Sequence, residues 1–320
     1  MCPTDSKDRT LGAKPRSKLS SLLSSPADSA SFKDLRQLLL LEALPDGEQG
    51  AALRPRLWRL LLRLHEIPQH VNQDVHPLLN ADAYSELISR DPSPMHDKIR
   101  KDAFRTLATD QDFLDKVGEE KLIRCLEAFV WRRLDLERET GAAESAPVPC
   151  IQGQNVLAAP FLYAMPSQLE AFACFTTFIE DQVPRYERPT LLVDLSLQAL
   201  DPKLFQHLLS FDLKAEIYAF PSILTFCAAT PPLPEVLALW DFLLAWGPGL
   251  SVLCVVAQLH GMRSDLLQSN TPMKLLRNFP PLRTRKIISL VVQFVGVIPA
   301  TLYDAIVRHP WDDTLVLPTR

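Results

Sequence analysis

Proline is what most limits the folds open to this chain. It holds 27 prolines against only 10 glycines in 320 residues, and proline lacks the N–H and the φ freedom to sit inside a helix or a central strand without cost. Between the prolines lie leucine-rich stretches whose apolar residues recur at three- and four-residue intervals, the period of one helical face. Two-residue alternation of the strand kind is scarce. The combination predicts an all-α fold of many short helices whose ends are marked by prolines.

The spacing predicts helices over 31–41, capped by Ser31, over 53–65 with Trp58, Leu61 and Leu62 inward, over 97–109 with Ile99, Ala103, Phe104 and Leu107 at helical spacing, and over 119–139. A linker at 141–149 interrupts the pattern. Helices over 152–165, 167–182, 202–211, 234–245, 249–261, 282–296 and 300–308 follow, divided by joints such as Thr230-Pro231-Pro232-Leu233-Pro234 and Phe279-Pro280-Pro281. No fixed period repeats, which disfavours a regular solenoid. Residues 1–30 are rich in Ser, Lys, Arg, Pro and Asp with little to bury, so they read as a disordered tail in which Ser20, Ser21, Ser24 and Ser25 are open to phosphorylation.

Several function classes drop out. A net charge of -4 does not provide the concentrated basic surface that displaces counterions from nucleic acid. The six cysteines are widely spaced, with no C-x-x-C pair, and several lie in apolar runs where a reduced thiol packs as a small side chain. The seven histidines form no H-E-x-x-H pair, so no metal site is expected. G-x-S-x-G, G-x-x-x-x-G-K-[ST] and G-x-G-x-x-G are all missing, so the chain does not hold a nucleotide by those devices. The polar start, with Asp5 and Asp8, predicts neither a signal nor a transit peptide. The most membrane-like run, 242–259, is cut by Gly247, Pro248 and Gly249 into pieces too short to span hydrocarbon. A cytoplasmic protein without membrane insertion is the expectation.

Two short segments carry chemistry. In Ile99-Arg100-Lys101-Asp102-Ala103-Phe104-Arg105, Asp102 and Arg105 are three apart and so neighbours on a helical face. In Cys150-Ile151-Gln152-Gly153-Gln154-Asn155, a polar turn containing a glycine leads into the apolar helix that starts near Val156. Taken singly, each has an ordinary explanation, an ion pair on a solvated face for the first and a helix-entry turn for the second.

Together they resemble the two signature motifs of the TBC-domain family of Rab GTPase-activating proteins, I-x-x-D-x-x-R and Y-x-Q-G-M-N. Leu53-Arg54-Pro55-Arg56-Leu57-Trp58 is similar to that family's opening L-R-x-x-[VL]-W helix, Glu170-Ala171-Phe172 to its E-x-A-F segment, and Leu239-Trp240-Asp241 with Gly247 to its late W-D…G element. The resemblance runs in the right order over some 250 residues. It departs at Cys150, where the family usually has tyrosine, at Gln154, where it usually has methionine, and at Ala219-Phe220-Pro221-Ser222, which lacks a tryptophan often found there. The first departure removes an aromatic that would pack the glutamine turn.

The resemblance implies a single TBC-type domain over 31–312 in two helical subdomains, about 31–200 and 201–312, with a tail at 313–320. It implies a dual-finger mechanism on a Rab-like small GTPase. Arg105 would supply the arginine finger and Gln152 would orient the attacking water, with Asp102, Asn155, Ile99, Gly153, Arg54 and Trp58 in support. No cofactor of the chain's own is implied, because GTP and Mg are carried by the partner GTPase. Chain size and strings such as Ala128-Phe129-Val130-Trp131 and Gly153-Gln154-Asn155-Val156-Leu157 resemble the fungal mitotic-checkpoint branch most. That branch implies a separate GAP partner subunit, a role in mitotic exit and septation, and the spindle pole body as location. A non-catalytic helical scaffold for a GTPase or checkpoint partner, and a Rab GAP in vesicle traffic, are the competing expectations.

Overall fold

A computed structural model of the chain describes residues 18–24, 32–65, 75–140, 153–183, 189–312 and 315. Among these residues the regular structure is entirely helical. The amino-terminal helices are α1 (Lys18–Ser24), α2 (Phe32–Glu42), α3 (Glu48–Leu61), α4 (Ala81–Ile88), α5 (His96–Phe104), α6 (Gln111–Lys116), α7 (Gly118–Thr140), α8 (Gln154–Ala164) and α9 (Gln168–Thr177). The rest are α10 (Pro189–Leu200), α11 (Pro202–Ser210), α12 (Ala215–Tyr218), α13 (Phe220–Leu224), α14 (Leu233–Trp246), α15 (Ser251–Gly261), α16 (Arg263–Gln268), α17 (Pro272–Leu276), α18 (Thr284–Val295) and α19 (Ala300–Arg308).

The helices gather around two buried axes. Helix α8 is apolar all round, with Leu157 through Leu162 buried, and a helix of that kind has to be enclosed by others. Helices α3, α5, α7, α9 and α14 surround it. Helix α15 is buried from Ser251 to Leu259 and packs between α10 and α18. Helix α14 joins the two groups, touching α2, α3 and α8 on one side and α18 on the other. Phe161 of α8 meets the edges of Trp58 at 5.3 Å and Trp240 at 5.2 Å between ring centroids, the T-shaped geometry that adds about 0.5–1.5 kcal/mol to area burial.

Prolines open α10, α11 and α17, and at α11 the Asp201 carboxylate accepts from the Leu204 N–H at 3.1 Å to complete the cap. Pro55 and Pro160 instead lie inside α3 and α8. Each forfeits a backbone bond, a loss of roughly 3 kcal/mol that the packing around it must offset. Gly247, with φ 110°, ends α14. At Gly249 the Ile306 carbonyl of α19 approaches so closely that an added Cβ would lie 2.2 Å from it.

Several expectations are corrected. Within the stretch 1–30 read as a tail, Lys18–Ser24 is helical, with Leu19 and Leu23 buried. The Leu19 N–H donates to the Glu42 carboxylate at 3.0 Å. Ser20 is buried and accepts from Gln49, so it is not open to a kinase in this fold. Ser25, the Ser31 cap and the linker at 141–149 lie outside the described residues. The helix expected over 97–109 stops at Phe104, and the one over 167–182 becomes a π-helical turn at Phe178–Gln182. Cys125, Cys174, Cys227 and Cys254 are free and buried, and burial pushes the thiols of Cys125 and Cys227 up to about 12, which leaves them inert. Among the described residues, no helix is long and apolar enough to cross a membrane.

Candidate functional site

Arg105 stands at the carboxyl end of α5, the helix whose inner face, Ile99 and Ala103, is buried against α7 and α8. The chain turns at once, with Leu107 at φ 47°, and Arg105 is left projecting. Its side chain is 65% exposed, and its guanidinium donates to Asp102 Oδ1 at 2.5 Å. Asp102 is itself only 16% exposed. With the guanidinium this open to water, the pair is worth about 1 kcal/mol. Asp102 therefore aims the guanidinium without tying it down, and a more strongly anionic group can take the arginine from it.

Beneath Arg105 is a polar latch. Buried Thr106 donates its hydroxyl to the Asp102 carbonyl at 2.7 Å. Asn155, buried in the first turn of α8, donates its carboxamide N–H to Thr106 Oγ1 at 2.7 Å and reaches the Asp102 carbonyl at 3.3 Å. The end of α5 and the start of α8, 49 residues apart at this bond, are thus fixed to each other by hydrogen bonds shielded from water, where such bonds are strongest. Gly153 caps α8 with φ 97°, a left-handed conformation suited to glycine. A Cβ there would sit 3.2 Å from Thr225 Cγ2. Gln152, bonded directly to Gly153, lies outside the described residues, as do Cys150 and Ile151.

Arg54 and Trp58 work elsewhere. The Arg54 guanidinium and the Trp58 indole N–H both donate to the Asp241 carboxylate, at 2.9–3.2 Å and 2.7 Å. Burial pushes the Asp241 carboxyl up, and Arg54 and Trp58 draw it back. This set bolts α3 to α14 under the aromatic cluster around Phe161, and Arg59 adds a bridge from α3 to Glu170 of α9 at 2.9 Å. The support these residues give is to the core that carries the site. Thr106 was missed from the sequence, although its place four residues after Asp102, where a hydroxyl can bond back to the i−4 carbonyl, was the available signal.

Residues 51–267 match RabGAP-TBC, the Rab-GTPase-TBC domain. The chain belongs to this family. Membership implies a small GTPase as partner. Among relatives of this TBC chain, cell division control protein 16 of Schizosaccharomyces pombe is 38% identical over 293 residues, which cover 89% of this chain and 90% of that protein. The mitotic check point protein BUB2 of Saccharomyces cerevisiae is 36% identical over 301 residues, covering 90% and 95%. The flagellar RabGAP TBC domain of Chlamydomonas shares the fold, with a TM-score of 0.66 at 18% identity, over 83% of this chain and 86% of that one.

Proposed function

We infer that this TBC protein activates GTP hydrolysis by a Rab-type small GTPase, placing Arg105 and Gln152 beside the triphosphate that the GTPase holds. The observation that carries the reading is the buried Asn155–Thr106 bond, which fixes the root of α8 against the root of an exposed arginine. Gln152 is three residues from Asn155 in the chain, and three residues reach at most ~11 Å. A carboxamide and a guanidinium can then serve one phosphate.

Phosphoryl transfer to water builds charge on the β- and γ-phosphate oxygens and needs an oriented water. The Arg105 guanidinium, permanently charged and planar, donates to those oxygens after leaving Asp102. The Gln152 carboxamide accepts from the water and holds it in line. Asp102 does no proton chemistry and holds the Arg105 side chain in place. GTP and Mg enter with the GTPase. The similarity to a cell division control protein and a mitotic check point protein supports a role in mitotic exit and septation control; a separate GAP subunit and a location at the spindle pole body are proposed along with that role.

The test is a panel of purified, GTP-loaded Rab-type GTPases incubated with the full chain. At least one is expected to hydrolyse GTP tenfold or more faster. Binding to a panel member without any acceleration of hydrolysis would make the chain a scaffold, and a traffic GTPase as the best substrate would replace the checkpoint assignment.

A further inference from the structure

Immediately beside Arg105, a groove of about 420 Å³ opens between the end of α5 and the α6–α7 corner. Phe113 and Leu122 form its floor and are almost completely buried, while Phe104 and Leu114 stand at its rim, 76% and 38% exposed. Ala103 and Arg105 complete the wall nearest the candidate site. An aromatic ring left this open, directly before the proposed finger, does little for the chain's own core. Beside an open groove such a ring is placed to anchor a partner, and aromatic anchors carry a large share of interface energy.

We propose that this groove receives an apolar side chain of the partner GTPase from a segment flanking its nucleotide pocket, and that Phe104 and Leu114 select the GTPase. The proposal rests on Arg105 acting as the finger. Arg105 lines both features, so a GTPase whose triphosphate reaches the guanidinium must lay the rim of its nucleotide pocket across Phe104. Thr106, latched by Asn155 and also lining the groove, holds the Phe104 wall in place, so the groove is formed before the partner arrives. Glu119 and Arg105, both exposed, also line the groove, so it is the buried floor of Phe113 and Leu122 that favours an apolar side chain and turns a geometric neighbour into a filter.

Steady-state stimulation is measured with the full chain and the panel GTPase it accelerates most, across a range of GTPase concentrations. Phe104→Ser and Leu114→Ser are expected to raise the half-saturating concentration by about tenfold each with the saturating rate unchanged, and Phe104→Leu to restore most of the affinity. Arg105→Ala is expected to do the reverse and lower the saturating rate. Unchanged half-saturation in both serine variants, or an effect seen only when a separate GAP subunit is added, overturns the groove assignment. An undiminished saturating rate in Arg105→Ala instead overturns the finger reading, so the two failures are told apart. Melting curves that match wild type confirm that these exposed-site variants are folded.

Discussion

The Asn155 carboxamide meets Thr106 inside the protein, where neither group can turn to water instead. Removing one partner of such a bond leaves the other unsatisfied, at about 1–3 kcal/mol. Asn155→Ala and Thr106→Val are each expected to lower stability by about that amount and to reduce stimulated hydrolysis, because the α5 end loses its fixed relation to the α8 start. Asp102→Asn gives the contrast. The latch uses the Asp102 backbone carbonyl, so this variant should melt close to wild type while Arg105 loses its aim. A lowered rate with an unmoved melting temperature checks that separation.

At the scale of elements, close approach matters more than helix propensity. Gly249 lets α19 settle against the turn before α15, and Gly249→Ala would drive a Cβ into the Ile306 carbonyl. A loss of about 1–3 kcal/mol is expected, typical of overpacking, read as a drop of several degrees in melting temperature. In the sequence, Gly247-Pro248-Gly249 was legible only as a break in an apolar run. That Gly249 serves a contact with a helix more than fifty residues later is a tertiary fact that no local pattern carries. The same limit explains α10. Pro189–Leu200 is apolar on nearly every side, so it shows no periodic stripe and was not anticipated, whereas α7 and α18, with one wet face each, were placed to within about two residues. Helix α1 was missed for the opposite reason, because only Leu19, Leu22 and Leu23 distinguish it from a polar tail. The pairing of Arg105 with Asp102 was legible because the two lie three apart in one contiguous segment. The Thr106–Asn155 bond that orders them was not, since it joins distant parts of the chain.

Across the whole molecule, two buried helical axes share α14, and the candidate site lies over the first. The second ends at α19, where His309 is buried and its Nδ1 lies 2.8 Å from the Ile306 carbonyl. Burial draws its pKa from 6.5 to about 4 against the pull of backbone hydrogen bonds. A group lowered on folding contributes stability that is complete above the unfolded value and is lost as pH falls through the folded one. Acidification from pH 7 to 4 is therefore expected to cost the fold about 3 kcal/mol at this residue, and the melting-temperature gap between wild type and His309→Asn should narrow over that range. The central claim concerns the other axis: two side chains from distant segments act on one triphosphate. Its most direct test is single-turnover hydrolysis by the accelerated GTPase with saturating wild type, Arg105→Ala and Gln152→Ala. Each substitution is expected to slow the reaction at least tenfold while binding persists, the arginine more, toward the ~10³-fold that a finger arginine supplies. Equal rates for all three proteins would contradict it.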